Sequence, residues 1–426
     1  MRWTRIAFLG AAVAFAPSAL AQSIDITWQK VFPIEGDRGQ INAMIVTESG
    51  NIVVGGALTR PVEFAQGEAY DAWVAMYAPN GEQLWSQQFG GEFRDDVVDL
   101  VEDRDGGIIV TGSRDTVRRQ SRISENVFAA KFSATGELIW DKILNDGERR
   151  TLSEVTLADD GGILLSGQTT PSGEAGSRPI VIKLTPSGEF RWVASPPTPP
   201  VDQSPQNAIV ASTGKGGPYT FDVARISAAM SDGIEVTILR NTWAAQGMQV
   251  SCVTLNSADG SPTTTPCSAA ALNGFKQDEL FVGGRTANFD VSDPMVTRRD
   301  TNGGVAWQRA FVSVEGDGLF GVAATPDGGV VGAGFQLIGN RVQRHNWDGF
   351  LVRLDANGKE LWRRTFGGKK REEFKAVKVL ADGSIVVAGF TGSQTGVQDW
   401  APWIMRLNSQ GELEGAALKE LQDRQF

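Results

Sequence analysis

The chain has 426 residues, with 40 Lys and Arg against 50 Asp and Glu, a net charge of −10, and only two cysteines. A chain this acidic repels nucleic acid and anionic membrane, which excludes both as partners. His345 is the single histidine, so a His-based metal site or a Ser-His-Asp triad could be built only around it, and its neighbours Arg344 and Asp348 do not complete one. No Gly-Lys-Ser/Thr phosphate loop is present, and neither a metal nor a cofactor is expected.

Residues 1–21 have the pattern of a signal peptide. Arg2 and Arg5 precede an apolar stretch from Ile6 to Phe15, Pro17 breaks it, and Ala19-Leu20-Ala21 supplies the small residues of a cleavage site before Gln22. The apolar stretch is about half the 20 or so residues a membrane span needs, so no span is expected. No Cys follows the cleavage site, which excludes a lipid anchor there. The expected location is the periplasm or the medium outside the cell.

From residue 22 the chain repeats. Trp28, Trp85, Trp140, Trp192, Trp307 and Trp362 are spaced by 57, 55, 52, 115 and 55 residues, the long gap being one repeat that has lost its Trp. A period near 55 residues made of short strands marks a propeller. The unit is fullest between Asp96 and Lys142. A first strand, Asp96–Val101, turns through Asp103-Arg104-Asp105-Gly106-Gly107 into Ile108–Gly112. A polar loop leads to Val127–Phe132, and Ala134-Thr135-Gly136 turns into Leu138–Lys142. Asp-Gly and Asn-Gly supply the positive φ that short hairpins need, and the β-branched and aromatic runs between them suit half-buried strands.

Further along, Asp159-Asp160-Gly161-Gly162, Asp327-Gly328-Gly329 and Asp382-Gly383 mark the same turn, while Asn80-Gly81, Ser187-Gly188, Gly303-Gly304 and Asn357-Gly358 lead into the Trp strand. Between Trp192 and Trp307 the pattern is eroded. Asp222–Met230, Ile234–Leu239, Val250–Leu255 and the Cys267 region are read as a fourth unit, and Ala269–Asp278, Leu280–Gly284 and Pro294–Arg299 as a fifth. Cys252 and Cys267 flank a turn signal and are expected to form a disulfide across that hairpin. Pro196–Pro200 is an insertion loop. The expected fold is all-β, a seven-bladed β-propeller of four-stranded antiparallel blades over residues 22–414, with 415–426 as a tail. Trp28 gives the N-terminal strand the better claim to complete the last blade, beside Trp403–Leu407.

The units resemble those of bacterial secreted β-propellers carrying Phe-Gly-Gly, Asp-Gly-Gly and Gly-x-x-x-Trp, which stand here as Phe89-Gly90-Gly91, Phe366-Gly367-Gly368, Asp105-Gly106-Gly107 and Gly358–Trp362. More distantly, the last element is similar to the repeat of pyrroloquinoline-quinone-type propellers. The resemblance implies a fold; such families include enzymes, envelope assembly scaffolds and modules without an assigned role.

Among residues that could carry function, the repeat Trp and the paired acids Asp103/Asp105 and Asp159/Asp160 are read as packing and turn residues. Lys131, Lys183, Arg298, Arg353 and Arg406 share one place in five third strands. They form either a cationic ring for an anionic ligand or a set of bases reaching turn acids, and the second reading is favoured. The loops between second and third strands and the links between blades lie on one face and vary most. They carry Arg114, Arg118, Arg119, Arg122, Trp243, Arg341, Arg344, Trp347 and Trp400. Insertions clustered on one face mark a binding surface, and Arg with Trp commonly anchor one. The expected role is a non-enzymatic exported scaffold for an envelope or extracellular protein or glycan. The alternative is an enzyme, a hydrolase, lyase or quinone-dependent oxidoreductase, working at the mouth of a central channel.

Overall fold

A computed structural model describes residues 27–32, 39–60, 69–115, 125–144, 148–170, 177–197, 220–231, 233–242, 248–268, 271, 281–285, 294–300, 304–311, 317–337, 347–393 and 400–425. The signal-peptide reading of residues 1–21 lies outside them. The strands run antiparallel in seven sheets. In chain order, β1 (Trp28–Val31) precedes a first sheet of β2 (Gly39–Val46), β3 (Ile52–Arg60), β4 (Ala69–Tyr77) and β5 (Gln83–Phe89). The second holds β6 (Asp95–Glu102), β7 (Ile108–Asp115), β8 (Glu125–Phe132) and β9 (Leu138–Leu144). The third holds β10 (Arg149–Leu157), β11 (Ile163–Thr170), β12 (Arg178–Leu184) and β13 (Phe190–Ala194).

The eroded stretch gives two three-stranded sheets among the described residues, β14 (Thr220–Ala229), β15 (Ile234–Thr242) and β16 (Met248–Leu255), then β17 (Phe281–Arg285), β18 (Pro294–Arg299) and β19 (Val305–Ala310). The sixth sheet holds β20 (Gly318–Ala324), β21 (Val330–Leu337), β22 (Trp347–Leu354) and β23 (Glu360–Phe366). The last holds β24 (Glu372–Val379), β25 (Ile385–Thr391) and β26 (Ala401–Leu407), and a helix α1 (Gly415–Gln425) ends the chain.

The last sheet takes β1 as its fourth strand, with Trp28 opposite Arg406 and Val31 opposite Trp403. The two ends of the chain therefore meet. Thr27 and Glu414 exchange hydrogen bonds, the Gln29 side chain donates to the Ala417 carbonyl, and Ala417 and Leu421 bury into the last sheet's core. The tail is docked rather than loose.

Two expected features of the eroded stretch differ. The Cys267 region is not a strand. After the Leu255–Pro262 bridge the chain runs irregularly, held by a Thr263 N–H to the Thr254 carbonyl and by the Cys252–Cys267 disulfide, with Cα atoms 6.3 Å apart. Three of the residues there are threonines between two prolines, and Pro266 could not donate to a ladder. The expected first strand at Ala269–Asp278 lies outside the described residues except Ala271.

Sheets are joined by the repeat tryptophans. Trp85 of the first sheet donates its Nε1–H to Ala134 O at 3.0 Å in the tight turn of the second, and its ring lies over Gly136. At Gly136 φ is +84°, and a Cβ there would stand 2.6 Å from the indole, so both conformation and space require glycine. Trp28, Trp140, Trp192, Trp307 and Trp362 lie in the same way on Gly81, Gly188, Gly260, Gly358 and Gly411 of the following sheet. The Trp28–Gly81 contact runs from the last sheet to the first. The sequence has no Trp for the passage from the fourth sheet to the fifth.

First strands of adjoining sheets lie against one another, whereas fourth strands expose Leu84, Leu138, Ile139, Phe190 and Leu361. First strands are thus where adjoining sheets meet. Six of them are bulged at the same place, after Ile41, Val97, Leu152, Ile226, Leu319 and Phe374. A bulge re-aims the extra side chain, and the residues so placed are Asn42, Val98, Ser153, Ser227, Phe320 and Lys375.

Candidate functional site

At the passage from the sixth sheet to the last, eight side chains close a circuit. Arg371 and Glu373 sit at alternate positions leading into β24, where a strand puts them on one side, and Lys375 is the extra residue that the β24 bulge re-aims. The Glu373 carboxylate, 1% exposed, accepts from both Arg371 and Lys375. The Arg371 guanidinium lies 3.8 Å from the Trp347 ring centre and 5.3 Å from that of Trp400. Trp400 stacks on Phe390 at 5.0 Å. The Lys375 ammonium is 3.7 Å from the Phe320 ring and 5.8 Å from Phe390. Phe335 links Phe320 to Trp347, at 5.3 and 5.1 Å. Cations over aromatic faces gain from the ring quadrupole, more so once desolvated.

The link before β24 is set by a buried acid. Glu372 accepts from the N–H groups of Gly368 and Ser393 and from the Thr391 hydroxyl, at 2.9 to 3.1 Å, and burial raises its pKa. Gly367 is required because a Cβ there would stand 2.1 Å from Asp348 Oδ1. Burial pushes Asp348 up to about 6, and its Oδ1 has no hydrogen-bond partner among the described residues.

A smaller copy stands between the first and second sheets. Arg94 lies 5.3 Å over the Tyr70 ring. Tyr70 holds the place of Trp347, since Ala72 faces Phe89 as Gly349 faces Phe366. Asp95 repeats Glu372, accepting from Gly91 N–H at 2.5 Å, and burial pushes it up to about 6. Burial likewise pushes Asp96 up to about 7, against Arg94 and the side-chain donors Asn42 and Gln40; Asn42 Nδ2 lies 2.6 Å away.

Of the residues expected to bind, Trp347 and Trp400 are brought together through Arg371. Arg114 is not on a loop. It is the last residue but one of β7, 5% exposed, pairs with Asp141 at 2.6 Å and Asp95 at 3.2 Å, and lies 4.6 Å over the Phe128 ring, so its charge is spent inside the sheet. Arg118, Arg119, Arg122, Trp243, Arg341 and Arg344 lie outside the described residues. Sequence reasoning missed Arg94, Phe320, Arg371, Glu373 and Lys375. A signal existed: Phe-Gly-Gly, two residues, Arg and two acids occur at both Phe89–Asp96 and Phe366–Glu373.

The column of third-strand bases lies on the opposite, tight-turn face and pairs as the favoured reading expects. Lys131 holds Asp103 and Asp105 at 2.6 and 2.7 Å, Lys183 holds Asp160 at 2.5 Å, and Arg353 holds Asp327 at 2.6 Å. Arg406 binds Asp382 and the Pro79 carbonyl. Arg298 donates to the Ala356 carbonyl. No ring of free cations results.

A family described as "Domain of unknown function (DUF5122) beta-propeller" matches residues 380–414. The chain is a β-propeller repeat protein. No curated protein matches it. Among solved structures it is similar to the β-propeller domain of the Trilobed protease from Pyrococcus furiosus, at 10% identity and TM-score 0.45, covering 89% of this chain and 97% of that one. It is similar to virginiamycin B lyase from Staphylococcus aureus at 10% identity and TM-score 0.40, covering 89% and 99%. It is also similar to the Neurospora crassa Pan2 WD40 domain at 9% identity and TM-score 0.33, covering 92% and 98%. These likenesses say nothing of activity. No helix among the described residues is long and apolar enough to cross a membrane.

Proposed function

We propose that the protein is an exported, seven-bladed propeller, closed by β1, whose link face docks an envelope or extracellular protein or glycan without catalysing a reaction. The observation that carries this reading is the aromatic and cationic circuit around Glu373. Trp400 and Phe320 are each 43% exposed there, beside two cations already immobilised on aromatic rings. Large aromatics with Arg anchor interfaces because they bury much area and lose little entropy on binding. The opposite face offers bases paired to turn acids and indoles sealed on glycines, which leaves little for a partner.

The test compares two variants of the mature protein for retention of binding to an envelope extract and a glycan array. One carries Trp400→Ala with Arg371→Met, the other Arg104→Ala with Lys359→Ala on tight turns. Loss in the first alone supports the reading; loss in the second alone puts the partner on the other face.

Asp96 favours a second reading, an enzyme at the channel mouth. A carboxyl held near 7 on a first strand is poised to give and take protons. Turnover of any substrate that is abolished by Asp96→Asn would favour catalysis over docking.

A further inference from the structure

We propose that the outer edge of β9 pairs with β9 of a second copy of this chain, joining two propellers through one continuous antiparallel sheet. β9 is the last strand of the second sheet, so backbone N–H and C=O groups along its outer side point away from every strand among the described residues. Such an edge is a template for another strand unless charged side chains guard it. In β23, Arg363 and Arg364 do so. The two charges of β9 are instead held within the chain, Asp141 on Arg114 at 2.6 Å and Lys142 on Glu189 at 2.9 Å. Beside them Leu138, Ile139 and Ile143 are 45%, 53% and 47% exposed. Ile139 stands one place before the repeat Trp and Ile143 three places after it. Those two places hold Leu84 and Gln88 at β5, Arg191 and Ser195 at β13, and Leu361 and Thr365 at β23. At β19 both are alanine, and at β1 they are Thr27 and Val31. Only β9 sets a large exposed apolar side chain at both, so duplication of the unit does not account for it.

The order of residues in β9 points to a second copy as the occupant. Leu138-Ile139-Trp140-Asp141-Lys142-Ile143-Leu144 begins Leu-Ile and ends Ile-Leu, so its apolar pattern is the same in both directions. Two identical strands paired antiparallel about a two-fold axis keep their faces, which requires one residue to lie opposite its own copy. Centred on Asp141, the pairing sets Leu138 against Leu144 and Ile139 against Ile143, each twice. Centred on Trp140 it sets Ile139 against Asp141, and centred on Lys142 it sets Ile143 against Asp141. Both of those leave an isoleucine facing a carboxylate, so the register centred on Asp141 is preferred. Its cost is two like charges at the centre, and each Asp141 brings its own Arg114 to offset it. No such match is required of a strand from an unrelated protein.

The contact is small. Three half-exposed apolar side chains from each copy fall well short of the roughly 20–30 residues a side of a standard interface, so a dissociation constant of about 10 µM or weaker is expected. Antiparallel pairing also turns the second propeller over. The link ends of the two β9 strands then lie at opposite ends of the joined sheet, and the two link faces point in opposite directions. A dimer built this way presents the face assigned to docking twice and can bridge two surfaces. The pairing itself stands whether or not that face docks a ligand.

The experiment is sedimentation equilibrium of the full mature chain from about 1 to about 500 µM. The unaltered protein should pass reversibly from monomer to dimer over that range. One variant carries Ile139→Lys with Ile143→Lys, another Ile139→Glu with Ile143→Glu. Each alone should be monomeric, because like charges then face one another across the two-fold axis. Their equimolar mixture should dimerise again, since every lysine then faces a glutamate. Asp141→Asn, which removes the like charges at the centre, should tighten the dimer at least about twofold. Both isoleucines are open to solvent, and thermal unfolding of each variant checks that it folds. Should a charged variant fail to fold, Ile143→Gln carries the test; it copies β5 and should weaken the dimer at least about fivefold. An unaltered protein that stays monomeric at about 500 µM overturns the proposal. So does a lysine variant that dimerises as the unaltered protein does, or a mixture that stays monomeric. Weaker dimerisation of Asp141→Asn overturns the register.

Discussion

The two ends of the same repeated strands have been put to different uses. On the tight-turn face each base meets an acid or a carbonyl, each indole covers a glycine, and the same arrangement recurs from sheet to sheet. On the link face the acids are buried beneath glycine links, and among the described residues an exposed Arg beside the link lies over an aromatic ring at two of the passages. Local turn chemistry recurs in most units, so its contacts can be copied by duplication. The link face depends on what neighbouring units bring, and units that differ make a particular site.

The largest expected effect tests closure, which both faces need. Deleting residues 22–32 removes β1, its ladder with β26 and the Trp28–Gly81 contact. Deleting 415–426 removes a helix that buries only Ala417 and Leu421 among its described residues. The first deletion should lower the melting temperature far more than the second; the reverse order would mean that the helix, rather than β1, holds the last sheet. Next, Gly136→Ala on the tight-turn face forces a side chain into positive φ and against Trp85, and should cost about 3 kcal/mol in denaturant unfolding. Gly304→Ala, where no indole lies over the glycine and the nearest atoms belong to Asp300, should cost clearly less.

A third prediction uses pH. Burial raises Asp348 and Asp95 to about 6 and Asp96 to about 7, so the folded state keeps these protons when the unfolded state has released them. These link-face acids therefore make stability fall as pH rises from about 4 toward 7. On the tight-turn face the sign is opposite. Asp327 is held near 2 by the Thr325 hydroxyl and Arg353, and its contribution is present above about pH 4 and lost as pH falls toward 2. Asp348→Asn should raise the melting temperature near pH 7 and leave it unchanged near pH 4; a uniform shift at both would show that burial of the charge is not the cause. The smallest effect belongs to Trp400→Ala. With 43% of the indole open, its loss should change stability by about 1 kcal/mol or less while removing the proposed docking contact. A large loss of stability would make Trp400 a packing residue.

Much of the fold was legible because its signals are local. Asp-Gly turns, the Trp stride and the choice of Trp28 over Gly415 for the closing strand each depend on a few neighbouring residues. The eroded fourth unit was read less well. Its expected final strand at Cys267 is an irregular run, because a disulfide holds the segment where a ladder would otherwise be needed. At the candidate site, Trp347 and Trp400 stood out as large aromatics on variable loops, and Arg114 was grouped with them by its place in the chain. Whether an arginine at a strand end faces solvent or folds back onto Phe128 and Asp95 is settled by packing, and a linear pattern does not contain it.

The sequence by itself determined the repeat, the strand and turn order, the disulfide partners and the two chemically different ends of each unit. Period and turn residues carry that information through short-range sterics and hydrogen bonding. Only the tertiary structure decided that Phe320, Arg371, Glu373, Lys375 and Trp400, spread over 80 residues, share one circuit. That circuit exists because two sheets pack side by side and bulges turn Phe320 and Lys375 out of their strands. A bulge and a packing seam are set by the whole assembly of sheets, and no single unit's sequence specifies them.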